Sequence, residues 1–535
     1  MTRLILASFL AIGFAGNQAL ASKKKNHYHI NVPTMTDSLP EVANEEFYQK
    51  TYGKLEKSGS RKISQSVSDV PAIEKTYSQD FITLRDELIG NSNKKEASGK
   101  TLKGIETPED LDKIILKYSM PETYDKLSPE AKMVVVQLRA VWPFKSFFHR
   151  AKAYFGNGTA IRSAIVTMLR NSSTAINVFF PVSGEAPVNH WNVVFRYMTE
   201  PMEGMGPDIK TDEELHQFVV DYANFTQKEI DRMYGIYKST DSIWWDNKLF
   251  MSFANFTSEK DRYIKLGKPE FEAILAGAYG SWSGLATTAA YSFEGLSDSI
   301  RDMGSFFGIE EARNVFRNSR NDRVSGMKAQ HRFAVLRKYP KLFTLLPNGK
   351  NLTAPAYSYM VASVNMAEAS WNRLRASNEN RTDFLFDPRV IQPFNTNRLI
   401  NTSFTELRTL LNSSEAKSTL MQGEMVQLNL RALYLDPPSS LREFYPVAFD
   451  SSAEEYKKEV AGKSIPYRNY RAGSPTTWSH AAYAKYFPSI KQVNCPKNLV
   501  EPVTSCTTDV GVYSRILSQT WGTAGFGAAL AGMVF

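Results

Sequence analysis

The chain has 535 residues, of which 42% are hydrophobic, 12% aromatic and 22% charged, and its formal net charge at pH 7 is +9. This apolar content suffices for a large buried core, so it excludes a wholly disordered chain, a collagen and a small disulfide scaffold. The mean hydropathy of −0.34 also argues against a polytopic membrane protein, since no long, strongly apolar run follows the first 21 residues.

Residues 1–21 have the composition of a cleaved secretory leader. Arg3 supplies a weakly positive start, residues 4–16 form an apolar run, and Ala19-Leu20-Ala21 places small residues where a signal peptidase requires them. The apolar run is too short to cross about 30 Å of hydrocarbon. The sequence therefore predicts an exported protein that begins at Ser22 and is located in the bacterial periplasm, in the outer envelope or outside the cell.

Residues 22–104 are polar, rich in lysine and weakly patterned. We expect them to form a loosely docked, partly disordered N-terminal arm that contains one helix near residues 79–88. The rest of the chain, 105–535, is predicted to form a large helical domain. The stretch 347–355, where an Asn-Gly pair interrupts the helical pattern, is an alternative boundary within that domain.

Helix-start signals recur from Thr107 onward. In Thr107-Pro108-Glu109-Asp110, a capping residue precedes a proline at the first helical position and two acids in the first turn, and apolar residues follow at helical spacing. Similar starts are found at residues 128–130, 211–214, 226–229, 403–406 and 452–455. Hairpin turns between alternating strands are scarce. The sequence therefore predicts a mostly α fold, either a helical bundle or an α/α toroid.

Residues 273–293 form an uncharged stretch between Glu272 and Glu294. Their content of Gly, Ser, Thr and Tyr favours a buried helix in a large all-α core over a helix that lines a ligand cavity or spans a membrane. Gly280 lies with two further glycines on one side of this helix, which would allow a neighbouring helix to approach closely.

The C-terminal part of the chain contains both cysteines, Cys495 and Cys506. In an exported protein, one close pair of cysteines predicts a single structural disulfide. Residues 516–535 form a second uncharged stretch, rich in Gly and Ala. We expect this tail to dock on the helical domain, to make a peripheral contact with a membrane or, in a eukaryotic host, to be a processed anchor signal.

The chain lacks the specific motifs of several enzyme classes. It contains no HExxH metal motif, no Walker sequence, no GxGxxG followed by an acid, and no nucleophile elbow. The sequence therefore predicts no cofactor and no metal, and it leaves open whether the protein is an enzyme.

Positive charge is concentrated between Arg313 and Lys341, where nine Lys and Arg residues accompany one acid. Arg313, Arg317 and Arg320 are spaced for one face of a helix, and Arg323 follows them. Such a concentration of charge attracts polyanions. For an exported protein we expect the partner to be an anionic polysaccharide or an anionic lipid surface, and we expect no nucleic acid.

Two adjacent tryptophans, Trp244 and Trp245, lie among acids and an amide in residues 241–247. Flat apolar faces beside hydrogen-bonding groups are typical of sugar-binding sites. If this segment were helical, the two side chains would point about 100° apart. We therefore expect at least one of the two tryptophans to lie in the core.

A third cluster contains Asn189, His190, Arg196 and Tyr197. Cleavage of a uronate polymer by β-elimination requires a neutralised carboxylate and a base at the adjacent carbon. Asn189, His190 and Arg196 would supply the first function and Tyr197 the second, as such groups do in helical toroid lyases.

Our leading functional hypothesis is an exported helical protein that binds an anionic envelope or extracellular polymer through its basic surface. The first alternative is an all-helical polysaccharide lyase or glycoside hydrolase with His190 and Tyr197 as catalytic residues. The second is a structural envelope protein without a small ligand.

Overall fold

The structure is a computed structural model. It describes residues 28–33, 35, 40–52, 77–95, 101–155, 189–246, 249, 263–299, 339–377, 381, 383–386, 404, 407–413, 415–417, 425–427, 429–441, 455–460, 463–468 and 485–486. Of these residues, 67% are helical and 8% lie in strands, which confirms the predicted mostly α fold.

The helices vary in length from single turns to long core helices. They are α1 (Glu45–Tyr52), α2 (Gln79–Ile89), α3 (Pro108–Ser119), α4 (Pro121–Tyr124), α5 (Pro129–Val141), α6 (Phe147–Arg150), α7 (Lys152–Phe155), α8 (Asn189–Thr199), α9 (Asp212–Ser239), α10 (Lys268–Ala289), α11 (Lys350–Ala376) and α12 (Leu430–Leu435). Short 3₁₀ turns occupy Glu41–Ala43 and Trp142–Phe144.

The described strands form antiparallel two-stranded sheets. These pairs are β1 (Asn91–Lys95) with β2 (Thr101–Leu102), β3 (Ser242–Asp246) with β4 (Tyr263–Gly267), β5 (Glu415–Lys417) with β6 (Met425–Gln427), and β7 (Glu455–Val460) with β8 (Lys463–Arg468).

Helix α10 lies at the centre of the core, packed between α9 and α11. Nearly all of its first three turns are buried, which confirms the buried helix predicted from the uncharged stretch. A methyl group at Gly280 would lie 3.0 Å from Oγ of Ser363 on α11, so the small residue allows the two helices to approach closely. The Ser363 hydroxyl donates to the Ala276 carbonyl at 2.6 Å, and the Ser283 hydroxyl of α10 donates to the Ala356 carbonyl at 2.7 Å.

Helix α9 begins where the sequence predicts it and continues past the second predicted helix start. Thr211 accepts a hydrogen bond from the Glu214 backbone at 3.2 Å, and the Glu214 carboxylate accepts one from the Thr211 backbone at 3.0 Å, which completes a capping box. The second start predicted at 226–229 is wrong. Thr226 lies inside the 28-residue helix, where its hydroxyl donates to the Tyr222 carbonyl at 2.7 Å. The apolar stripe continues through this point without a helix-breaking residue. The helix therefore does not end here, and no helix N-terminus is present for the pattern to cap.

The described parts of the expected N-terminal arm pack into the core. Met35 and Val42 are fully buried, and Tyr48 and Tyr52 of α1 pack against Ala369 of α11. The expectation of a loosely docked arm is therefore wrong for these residues. A few apolar and aromatic side chains at helical spacing suffice to dock a segment whose overall composition is polar. The helix expected near 79–88 is confirmed as α2.

Two further predictions need correction. The helix start predicted at 452–455 leads instead into strand β7, which pairs with β8 in register from Glu455–Arg468 to Val460–Lys463. At the alternative boundary 347–355 the core is continuous, because Leu346 and Leu352 belong to the same buried cluster as Ile274 of α10. None of the helices in the described ranges combines the length and apolar character needed to cross a membrane.

Candidate functional site

The four arginines of the basic run, Arg313, Arg317, Arg320 and Arg323, lie outside the described residues. Lys341, the last basic residue of the run, is described. Its side chain is 69% exposed, and its Nζ lies 2.8 Å from Oε1 of Glu294. Cys495, Cys506 and the tail 516–535 are likewise outside the described part of the chain.

The described residues that flank the segment 300–338 pair with each other. The backbone N–H of Phe343 donates to the Ser292 carbonyl at 2.8 Å, and that of Ser292 donates to the Thr344 carbonyl at 2.7 Å. We call residues 290–299 and 339–346 the neck. The described residues before and after 300–338 are therefore held together beyond the C-terminal end of α10.

A half-buried carboxylate forms hydrogen bonds with the first half of the neck. Asp212, at the start of α9, accepts hydrogen bonds from the backbone N–H groups of Gly295 at 2.9 Å and Ser297 at 3.0 Å, and from the Tyr154 hydroxyl at 3.0 Å. Burial raises the pKa of Asp212 above its ordinary value, against the effect of these donors. Gly295 has φ +91°, and a methyl group there would lie 2.9 Å from the ring of Tyr339, so both conformation and space require glycine.

A histidine and a tyrosine support the same segment. The Tyr28 hydroxyl accepts from the Phe293 backbone N–H at 2.9 Å and donates to Nδ1 of His216 at 2.5 Å. Nε2 of His216 donates to the Ala289 carbonyl at 2.7 Å, and its ring stacks on Phe293 with centroids 4.3 Å apart. Burial lowers the pKa of His216 to about 4. The imidazole is therefore neutral at physiological pH, and it joins the N-terminal part of the chain to the neck.

The tryptophan pair lies in strand β3, so the helical geometry considered for this segment does not apply. Successive side chains of β3 point to opposite faces. Trp245 is 3% exposed and belongs to the core, which confirms that at least one of the two is buried, whereas Trp244 is half-buried at the edge of the core. Asp246 is fully buried and pairs with Arg85, with 3.4 Å between Oδ2 and Nη1. The acid at this place thus serves an internal ion pair.

Asn189 and His190 form the first turn of α8, and their side chains lie outside what the structure describes. Tyr197, on the same helix, is fully buried and its hydroxyl donates to Oδ1 of Asp112 at 3.0 Å. Burial, together with the Asp112 carboxylate, raises the pKa of Tyr197. In the described fold this hydroxyl holds its proton and binds an internal acid.

A second cluster, which we call the Glu272 cluster, joins four helices. Glu272 of α10 is fully buried. Its Oε1 accepts from the Tyr237 hydroxyl of α9 at 2.8 Å and from Nε of Arg373 of α11 at 2.7 Å. The hydroxyls of Tyr237 and of Tyr52, on α1, lie 2.7 Å apart. A chain of hydrogen bonds thus runs from α1 to the middle of the core.

The Glu272 carboxyl is poised to exchange a proton near neutral pH. Burial raises its pKa to about 7, although Arg373 and the tyrosine hydroxyls favour the charged form. Its second oxygen, Oε2, is buried and has no hydrogen-bond partner among the described residues. One turn earlier, the Lys268 amine donates to the Tyr237 carbonyl at 2.5 Å, and burial lowers the pKa of this lysine. Chemically, the cluster can store and release a proton inside the fold.

The local sequence does not reveal the Glu272 cluster. The sequence contains one signal for it, because Glu272 directly precedes the uncharged stretch 273–293. If the buried helix predicted for that stretch begins before residue 273, Glu272 is buried with it. Nothing in the local sequence distinguishes Arg373 from the many other arginines, because its role depends on how α10 and α11 pack.

Within the described ranges, no three or more His, Cys, Asp and Glu side chains come together in a way that would hold a metal ion. Comparison with protein-family models, with curated proteins and with solved structures finds no match to this chain.

Proposed function

We propose that this is an exported protein that binds an anionic polymer of the cell envelope or the extracellular space through the basic segment from Arg313 to Lys341. The observation that carries the proposal is the charge of that segment, in which nine Lys and Arg residues accompany a single acid. The fields of such closely spaced charges add, and they attract a polyanion more strongly than the same charges would if they were dispersed over the surface.

The geometry of the neck supports this proposal. The described residues on either side of the segment 300–338 pair with each other, so both attachment points of that segment lie in the neck. Asp212 and Tyr28, both half-buried, form hydrogen bonds from the helical body to the neck. The Lys341–Glu294 pair is exposed, and such pairs contribute only about 0–1 kcal/mol, so a polyanion can replace Glu294 at little cost.

Charge reversal tests the proposal. The variant Arg313→Glu, Arg317→Glu, Arg320→Glu lowers the net charge by six, and we expect it to elute from immobilised polygalacturonate at a much lower NaCl concentration than the wild type. The matched control is Lys50→Glu, Lys113→Glu, Lys126→Glu, which makes the same change in net charge at three exposed lysines on or next to other helices.

The control should retain most of the binding. If the arginine variant elutes with the wild type, the proposal is wrong, and if both variants lose retention equally, overall charge rather than the segment is responsible. Incubation with the same polymer in solution separates binding from the lyase alternative. Polymer that is recovered intact supports binding, whereas release of unsaturated products would favour a lyase.

A further inference from the structure

We propose that protonation of Glu272 determines how firmly helix α1 is held on the helical core. This inference rests on the Glu272 cluster alone and is independent of the proposed polymer binding.

Helix α1 depends on its contacts with the rest of the protein. It has eight residues, and isolated helices shorter than about 12 residues are marginal in water. At its outer side, Arg408 bonds both Glu45 of α1 and Glu368 of α11, at 2.5 Å and 3.0 Å, and lies over the ring of Tyr48. At its inner side, Tyr52 provides the polar contact with the Glu272 cluster.

The inner contact closes the Glu272 cluster. Tyr52 is 1% exposed, and its hydroxyl begins the hydrogen-bonded chain through Tyr237 to the Glu272 carboxylate. Detachment of α1 removes Tyr52 and opens this chain to water. The carboxyl group is therefore in a low-dielectric environment while α1 is docked and is hydrated when α1 is detached.

Docking is consequently coupled to proton uptake. With α1 docked, the pKa of Glu272 is about 7, and hydration returns it toward the ordinary value of 4.5. The pKa of Glu272 is higher in the docked state than in the detached state, so proton binding stabilises docking. This stabilisation is fully present below pH 4.5, the pKa of the hydrated carboxyl, and is lost as the pH rises through about 7, the pKa in the docked state. Helix α1 is held more firmly in mildly acidic solution than in mildly alkaline solution.

Other charged and titratable groups face Glu272 from each packed element. Tyr52 lies on α1, Tyr237 on α9 and Arg373 on α11, while Lys268 belongs to α10 itself. The tyrosines stay protonated because burial raises the pKa of each. Arg373 stays charged because its pair with Glu272 raises its pKa further. The Lys268 amine lies 3.9 Å from the exposed Asp241 carboxylate, so Lys268→Met measures the contribution of this lysine separately.

Hydrogen exchange of the full chain tests the inference. Exchange of the amides in 45–52 is followed between pH 5 and pH 8 and corrected for intrinsic exchange rates, with peptides from α10 and α11 as the internal reference. We expect the opening equilibrium of α1 to rise roughly tenfold or more over this range in the wild type. In Glu272→Gln, which keeps the acceptor oxygen and cannot titrate, the rise should disappear. Glu46→Gln, an exposed acid on α1 itself, should leave it unchanged.

An opening equilibrium that does not change with pH in the wild type would overturn the inference, and so would an unchanged rise in Glu272→Gln. Should that variant fail to fold, Tyr237→Phe supplies a second test. This variant removes a donor that stabilises the charged Glu272 carboxylate. The pH above which the opening equilibrium of α1 stops rising should therefore move to a higher value. A value that stays in place contradicts the role of Glu272.

Discussion

Two acids of helix α10, Glu270 and Glu272, are both fully buried and both pair with an arginine from a later part of the chain, yet their surroundings differ. Glu270 is satisfied at both oxygens. Its Oε1 accepts from Nη2 of Arg381 at 2.5 Å and from the Phe386 backbone at 3.1 Å, while its Oε2 accepts from the Gly267 backbone at 2.9 Å. Glu272 has two donors on Oε1, and its Oε2 has no partner among the described residues.

This difference shows that burial alone does not decide what a charged side chain does. A buried carboxylate whose two oxygens both accept hydrogen bonds, from an arginine and from backbone N–H groups, fixes the geometry of the chain around it. A buried carboxylate with one unoccupied oxygen remains close to the point at which it takes up a proton. The first is suited to a structural role and the second to a response to pH, although the two residues lie within one helical turn.

Glu270→Ala should have the largest effect on stability. The substitution leaves Arg381, whose side chain is 3% exposed, without its carboxylate, and breaking such a pair costs about 3–5 kcal/mol. The free energy of unfolding from urea titration measures the loss, with the exposed Glu46→Ala as control. A loss below about 1 kcal/mol would show that Arg381 finds another partner or that water reaches this pair.

Glu272→Gln should have a smaller effect that depends on pH. The pKa of Glu272 is about 7 in the folded protein and 4.5 ordinarily, so its favourable contribution is present below the lower value and is lost as the pH rises to the higher one. Between pH 4.5 and pH 8 the wild type should lose about 2–3 kcal/mol relative to the variant. Urea titrations of both proteins across this range measure the difference. Parallel stability curves would mean that Glu272 does not titrate there.

Gly267→Ala should have the smallest effect on the free energy of unfolding. This effect should be confined to the surroundings of Glu270. The added methyl group would lie 2.9 Å from the ring of Phe384, which covers the Arg381 guanidinium with 3.9 Å from its Cζ to the ring centroid. Displacing this ring should cost about 1–3 kcal/mol. The pH dependence assigned to Glu272 should be the same in this variant as in the wild type. If it changes, the two acids are coupled and cannot be treated as separate regions.

Sequence reasoning predicted the fold well where a local signal was sufficient. The capping boxes at Thr107 and Thr211 start α3 and α9, because cap and first turn are adjacent in the chain. The uncharged stretch 273–293 predicted a buried helix, and close packing at Gly280 followed from the small residues on one side.

The same reasoning failed where a local pattern competes with its surroundings. The capping pattern at Thr226 has no effect inside a longer amphipathic helix. Trp244 and Trp245 lie in a strand because their segment pairs with residues 263–267, about twenty positions further along the chain. The polar composition of residues 22–104 concealed Val42 and Tyr52, whose burial depends on surfaces of α9 and α11 that composition does not describe.

The amino-acid sequence by itself determined the helical class, the main helix starts and the placement of an uncharged helix in the core, since each depends on periodicity or on contacts within a few residues. Only the tertiary structure decided that Tyr52, Tyr237 and Arg373 meet at Glu272, and that the residues flanking 300–338 pair to form the neck. Hydrogen bonds and desolvation act over a few ångströms in space, whereas these partners are separated by tens to hundreds of positions along the chain.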